Sequence, residues 1–168
     1  MGTKSTDISA NNKIREGIIG LENTIKEIDG AFLGDNEVCP LKHTFADGIY
    51  VREIFIPKGM CIVGKIHKHS HPNFLMKGTV NVVTEFGSER IEAPCSMISK
   101  AGTKRALYAE TDLIWVTVHS NVSNTQDIDK IEDFVIAESY EEYQKFIQYK
   151  DKPMKRLLNK FINQLNIF

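Results

Sequence analysis

Between Phe45 and His119 the chain is a succession of short β-type runs separated by turn signals, with no helical period between them. Tyr50–Ile56, Met60–Val63, Thr79–Phe86, Arg90–Ala93, Cys95–Ser99, Arg105–Ala109 and Leu113–Ser120 read as strands. Pro57-Lys58-Gly59, Gly87-Ser88 and Pro94 punctuate them. Short strands without intervening helices argue against a parallel sheet and for an antiparallel sandwich or barrel, most economically a jelly roll.

The last of these runs constrains the packing further. Leu113, Trp115 and Thr117 fall on one face of a strand, and Ile114, Val116 and Val118 on the other. A strand apolar on both faces must be covered twice. The barrel core is one cover, and an N-terminal helix or a second subunit the other, so a homo-oligomer is expected.

The flanks read as helices. Asn12 is placed to cap a helix carrying Ile14, Ile18, Leu21, Ile25 and Ile28, with Gly30 ending it. Ser139 and Glu142 form a capping-box pattern that opens a second helix, which Pro153 interrupts. Leu157, Leu158, Phe161, Ile162 and Leu165 give the tail an amphipathic stripe. The expected organisation is a tail and amphipathic helix over 1–35, a barrel over 36–122 and a helical extension over 123–168, packed on the barrel or on a partner subunit.

Composition then narrows the function. The 168 residues carry a formal charge of −1, which gives no basic stripe for DNA phosphates, so bulk nucleic-acid binding is not expected. Cys39, Cys61 and Cys95 are odd in number and widely spaced, the pattern of reduced thiols in a cytosol. Neither a signal-peptide apolar region nor a membrane-spanning run is visible, so a cytoplasmic, non-membrane protein is expected. Phosphate-cradling loops, dinucleotide fingerprints, nucleophile elbows and zinc-protease helices leave no trace.

The sharpest chemical feature is Gly64-Lys65-Ile66-His67-Lys68-His69-Ser70-His71-Pro72-Asn73. In an extended strand Lys65, His67, His69, His71 and Asn73 share a face, which would gather three imidazoles. Imidazole nitrogens ligate divalent transition metals, here Zn, Fe, Mn or Ni, and three of them leave coordination positions open. The plainer reading is a polar loop whose histidines bond neighbours or solvent, and a bulge or turn at Ser70 or Pro72 would break the alternation. His119 shares parity with Trp115 and Thr117, so it either faces the same interior or simply ends its strand. His43, beside Cys39-Pro40, suggests a thiol site only weakly, because nothing in the sequence lowers that thiol's pKa.

These residues resemble the cupin superfamily. Gly59 or Gly64, His67, His69 and Gly78 resemble its first motif, with His71 near the place of the acidic ligand. Lys100-Ala101-Gly102-Thr103-Lys104-Arg105 resembles its second, with Arg105 in the histidine position and Lys100 in that of the proline. A wider likeness, carried by Phe45 to Glu53, Gly64 to His71, Ala101 to Arg105 and Trp115 to His119, is to small cupin-like proteins of tailed bacteriophages. The resemblance implies a mainly β, antiparallel double-stranded β-helix (a cupin-like jelly-roll barrel) with an N-terminal amphipathic helix and C-terminal helices. A phage origin would place it in a host bacterial cytoplasm.

Arg105 brings a permanent charge and up to five donors where an imidazole is usual. With Arg52, Lys65 and His119 it forms an expected anion-binding wall, whose alternative is an Arg52 ion pair with Glu53 or Glu85. The expected ligand-binding set is Arg52, Lys65, His67, His69, His71, Asn73, Arg105, Trp115 and His119, and the metal set is His67, His69 and His71. No catalytic residue is assigned. Three functions follow as expectations. The first is a non-catalytic binder of a small anionic molecule, such as a nucleotide sponge acting against host defence. The second is a metal-dependent oxygenase or isomerase, and the third a structural virion or assembly protein.

Overall fold

The computed structural model describes residues 8–31 and 37–164. An α-helix, α1 (Ile8–Lys26), precedes ten strands: β1 (Leu41–Ala46), β2 (Gly48–Ile56), β3 (Cys61–Val63), β4 (Ile66–His67), β5 (His71–Lys77), β6 (Thr79–Thr84), β7 (Gly87–Glu92), β8 (Cys95–Ser99), β9 (Arg105–Ala109) and β10 (Leu113–Asn121). Helix α2 (Ile128–Val135), the short strand β11 (Ile136–Ala137) and helix α3 (Tyr140–Gln164) follow.

The strands pair antiparallel in a nested order: β2 with β10, β3 with β9, β5 with β8, and β6 with β7. First meets last and inner meets inner, as when one long hairpin is wound into a barrel. The result is two sheets, β1-β2-β10-β5-β8 and β3-β9-β6-β7, with β4 and β11 forming a separate two-stranded ladder. This is a jelly roll. Between the sheets, Leu75, Val80, Ala109 and Leu113 are 0% exposed and pack with Ile56, Leu107 and Trp115. Each buried branched aliphatic contributes roughly 1.5–3 kcal/mol of transfer free energy.

The alternation along β10 decides which residues reach the interior. Leu113, Trp115, Thr117, His119 and Asn121 are buried, while Ile114, Val116 and Val118 on the outer face are partly exposed. Helix α1 packs on β3 and β6, in the other sheet, so it does not cover that outer face. Two long-range ion pairs fix α1 instead. Arg15 reaches the buried Glu85 at 2.9 Å, and Lys104, itself 4% exposed, reaches Glu22 at 3.1 Å.

Several sequence expectations need correction. Helix α1 already includes Ile8, so Asn12 lies inside it; side-chain anchoring on the barrel outweighs a local capping preference. It ends at Lys26, short of Gly30, whose φ of 82° belongs to the following turn. Helix α3 continues through Pro153. The proline removes one backbone donor, and the helix formers around it sustain the rest. The capping box is realised: Glu142 N donates to Ser139 Oγ at 3.1 Å, and the Glu142 carboxylate accepts from Glu138 N at 2.9 Å. The stripe positions Leu158, Phe161 and Ile162 have side chains outside the described set, and Leu165 lies outside the described residues.

The segment after β10 crosses the barrel mouth. Ile131, Val135 and Ile136 bury against Tyr50 of β2, and β11 pairs with β4 so that Ile136 lies opposite His67. Helix α3 then packs Tyr143 onto Gly102, whose φ is 80°; a methyl group there would collide with the Tyr143 ring. Among the described residues, no helix is long and apolar enough to cross a membrane.

Candidate metal centre in the barrel interior

The expected single strand from Lys65 to Asn73 is two strands. β4 ends at His67, the chain bends through Lys68–Ser70, and β5 begins at His71. The bend is held from outside the strand: Gly102 N donates to the His67 carbonyl at 2.8 Å, and Ala101 N to Ser70 Oγ at 3.1 Å. It breaks the alternation. His67 and His71 point into the barrel, and His69 points out, stacked on Phe134 of α2 with centroids 4.9 Å apart and edge-on to Phe146 of α3.

The third imidazole in the interior comes from β10. His67, His71 and His119 each offer a ring nitrogen within 4.8 Å of the others. His119 stacks on His67 with centroids 5.1 Å apart, and its ring lies 4.6 Å from that of His71. The expected triple of His67, His69 and His71 is therefore replaced by His67, His71 and His119. Strand parity offers His119 to the same interior and to the ligand-binding set but leaves it out of the metal set, because the pairing of β10 with β5 is a long-range fact.

Second-layer contacts orient the set. His71 Nδ1 lies 3.2 Å from the His69 carbonyl, which can only accept, so Nδ1 carries the proton. His71 Nε2 is then a lone-pair donor, buried and without a hydrogen-bond partner. Carbonyl-fixed tautomers of this kind characterise metal-ligating histidines. On the far side of His119, Tyr50 stacks at 6.0 Å, and its hydroxyl contacts His43 Nδ1 at 2.6 Å. His43 thus engages the buried tyrosine, and Cys39 is a buried thiol whose pKa is raised by burial.

The cluster is electrostatically neutral by construction. Burial first, then the neighbouring imidazoles and the Arg105 and Arg52 guanidiniums, push His67 down to about 2. Burial, with His71 and Arg52 adding to it, takes His119 to about 3. Burial, reinforced by Arg105 and opposed by the His69 carbonyl, takes His71 to about 4. Neutral imidazoles are what a metal ion requires of its ligands. The donor set fits one: three neutral imidazoles each bring a ring nitrogen within 4.8 Å of the others, and His71 has a buried ring nitrogen without a hydrogen-bond partner.

Below the histidines lies a polar floor. Asn73, 0% exposed, accepts from Trp115 Nε1 at 3.0 Å and donates to Ser99 Oγ at 2.8 Å. Arg105 donates to the same Ser99 hydroxyl and lies over the Trp115 ring, its guanidinium carbon 5.5 Å from the centroid. Burial lowers the Arg105 pKa to about 10, which leaves it charged at neutral pH. Arg52 stands opposite Thr117 across β2 and β10, on the inward face shared with Tyr50 and Ile54. Of the expected ligand set, only Lys65 and His69 lie elsewhere. Lys65 precedes β4 and pairs with Glu132 at 3.3 Å and Glu138 at 3.4 Å, on the C-terminal segment.

The nested strands form a jelly-roll barrel with inward histidines. No family model matches the chain, and neither does any curated protein. Among solved structures it is similar to ectoine synthase from P. lautus, at 14% identity and a TM-score of 0.49, over 65% of this chain and 81% of that one. It is similar to KdgF from Halomonas sp., at 14% identity and a TM-score of 0.47, over 62% of this chain and 94% of that one. The cupin domain of Schizosaccharomyces pombe Cnp3 is similar at 10% identity and a TM-score of 0.44, over 54% of this chain and 71% of that one.

Proposed function

We propose that this cupin-like barrel is a metal-dependent small-molecule protein in which His67, His71 and His119 hold one divalent transition-metal ion. The observation that carries the reading is the cluster itself: His67, His71 and His119 each offer a ring nitrogen within 4.8 Å of the others, and His71 Nε2 is buried without a hydrogen-bond partner. A buried polar atom without a partner is destabilising by about 1–3 kcal/mol, and a metal ion would satisfy it.

Three imidazoles without a carboxylate favour zinc, iron or nickel over manganese, which prefers oxygen ligands. A metal bound by three protein ligands supplies Lewis acidity and open positions for water or substrate, as oxygenase or isomerase chemistry requires. The protein's own residues prepare that role: Phe134, Phe146 and the α2–β11 segment cover the mouth, and His69 fixes the His71 tautomer through its carbonyl. Of the three functions expected from sequence, this arrangement favours the metal-dependent one over metal-free capture or a purely structural role.

The test is zinc titration of chelator-treated protein, followed by elemental analysis after gel filtration. One zinc per chain is expected in the wild type and in His69→Ala, and less than a tenth of that in His119→Ala. Retention of zinc by His119→Ala, or its loss in His69→Ala alone, would overturn the ligand set.

A further inference from the structure

Beside the imidazoles the barrel interior holds more positive charge than its own carboxylates balance. Arg105 forms no ion pair among the described residues, and the buried Glu85 is ion-paired with Arg15 at 2.9 Å. Arg52 forms no ion pair among the described residues, and its Nε is buried without a hydrogen-bond partner. A partly buried guanidinium whose Nε–H is desolvated without a partner is disfavoured unless an acceptor meets it.

The polar neighbours also limit what that anion can be. Asn73 spends its amide on Ser99 and the His71 carbonyl and its oxygen on Trp115. Ser99 Oγ is taken by Asn73 and Arg105, and Thr117 Oγ1 by the Arg52 carbonyl. The charged donors left for a ligand are therefore the remaining N–H groups of the two arginines. Such a fork matches the two oxygens of a carboxylate, whereas a phosphate would leave further oxygens without donors.

We infer that the interior next to His67, His71 and His119 is a receptor for a small carboxylate, held by Arg52 and Arg105. The inference rests on the reading of this interior as a metal-dependent site and adds the class of its ligand. It places the carboxylate at the polar floor, between the imidazoles above and Trp115 below.

Trp115 is the only tryptophan of the chain and lies under Arg105, so its fluorescence reports on this floor. The experiment titrates zinc-loaded protein with malonate and with inorganic phosphate at constant ionic strength, following fluorescence and, in parallel, binding heat. Zinc content is measured on the same sample. Malonate should saturate and phosphate should not, and both Arg52→Met and Arg105→Met should raise the half-saturating malonate concentration at least tenfold. Arg52→Gln, a milder change at a partly exposed residue, serves if either variant fails to fold. Absence of saturation by either readout in protein carrying one zinc overturns the carboxylate receptor and leaves the metal reading intact. An equal response to phosphate, or an unchanged response in folded Arg52 variants, overturns it as well. Saturation by malonate in protein that takes up no zinc supports the arginine pair and overturns the metal reading instead.

Discussion

His67 and His119 lie with their ring planes 6° apart and their centroids 5.1 Å apart, although one sits on the two-residue strand β4 and the other near the end of β10. Two imidazoles stacked so closely in a buried interior cannot both be charged. The contact therefore ties the stability of the metal-free barrel to pH.

Well above pH 6.5 the three histidines are neutral in both the folded and the unfolded chain, and their protonation changes nothing. Below it the unfolded chain takes up protons that the folded barrel refuses until the pH approaches about 4 at His71, about 3 at His119 and about 2 at His67. Stability must fall as pH drops through this window, by up to roughly 1.4 kcal/mol per pH unit for each histidine. Urea denaturation in the presence of a chelator checks this between pH 7.5 and 5, where carboxylates stay ionised. A midpoint that is level across that range would show that the imidazoles are not buried together.

The floor beneath the histidines hangs on one amide. Asn73 joins Trp115, Ser99 and the His71 carbonyl, and it is fully buried. Truncating it leaves the indole N–H without an acceptor, so Asn73→Ala should lower unfolding free energy by about 2–3 kcal/mol. The Trp115 emission should also change at constant pH. Equilibrium denaturation gives the first quantity, and a loss below about 0.5 kcal/mol would contradict the network.

Lys68 is the clasp between the histidine bend and the segment that covers it. Its backbone N–H donates to the Val135 carbonyl at 2.7 Å, its ammonium donates to the Asp133 carbonyl at 2.8 Å, and it pairs with Glu142 at 2.9 Å. Lys68→Met removes the two ammonium contacts and keeps the backbone one. We expect about 1 kcal/mol of destabilisation, with amide exchange rising several-fold at Ile136 and Ala137 and unchanged in β6 and β9. Uniform acceleration across the barrel would mean that the covering segment does not open separately.

The sequence by itself determined the strand succession and the inward parity of β10, because alternation and turn chemistry are local and survive in any packing. It also singled out His67, His71, Arg52, Arg105, Asn73, Trp115 and His119 by residue type and parity. It could not determine that His69 leaves the cluster. That depends on a bend at Lys68–Ser70 held by Ala101 and Gly102, residues distant in the chain whose backbone groups bond to it. Strand β1, helix α2 and strand β11 were equally illegible, since each is short and stabilised by what it packs on, not by its own periodicity. Only the tertiary structure decided which three imidazoles meet: β10 is placed beside β5 by the nested pairing of the barrel, and that pairing belongs to no local segment.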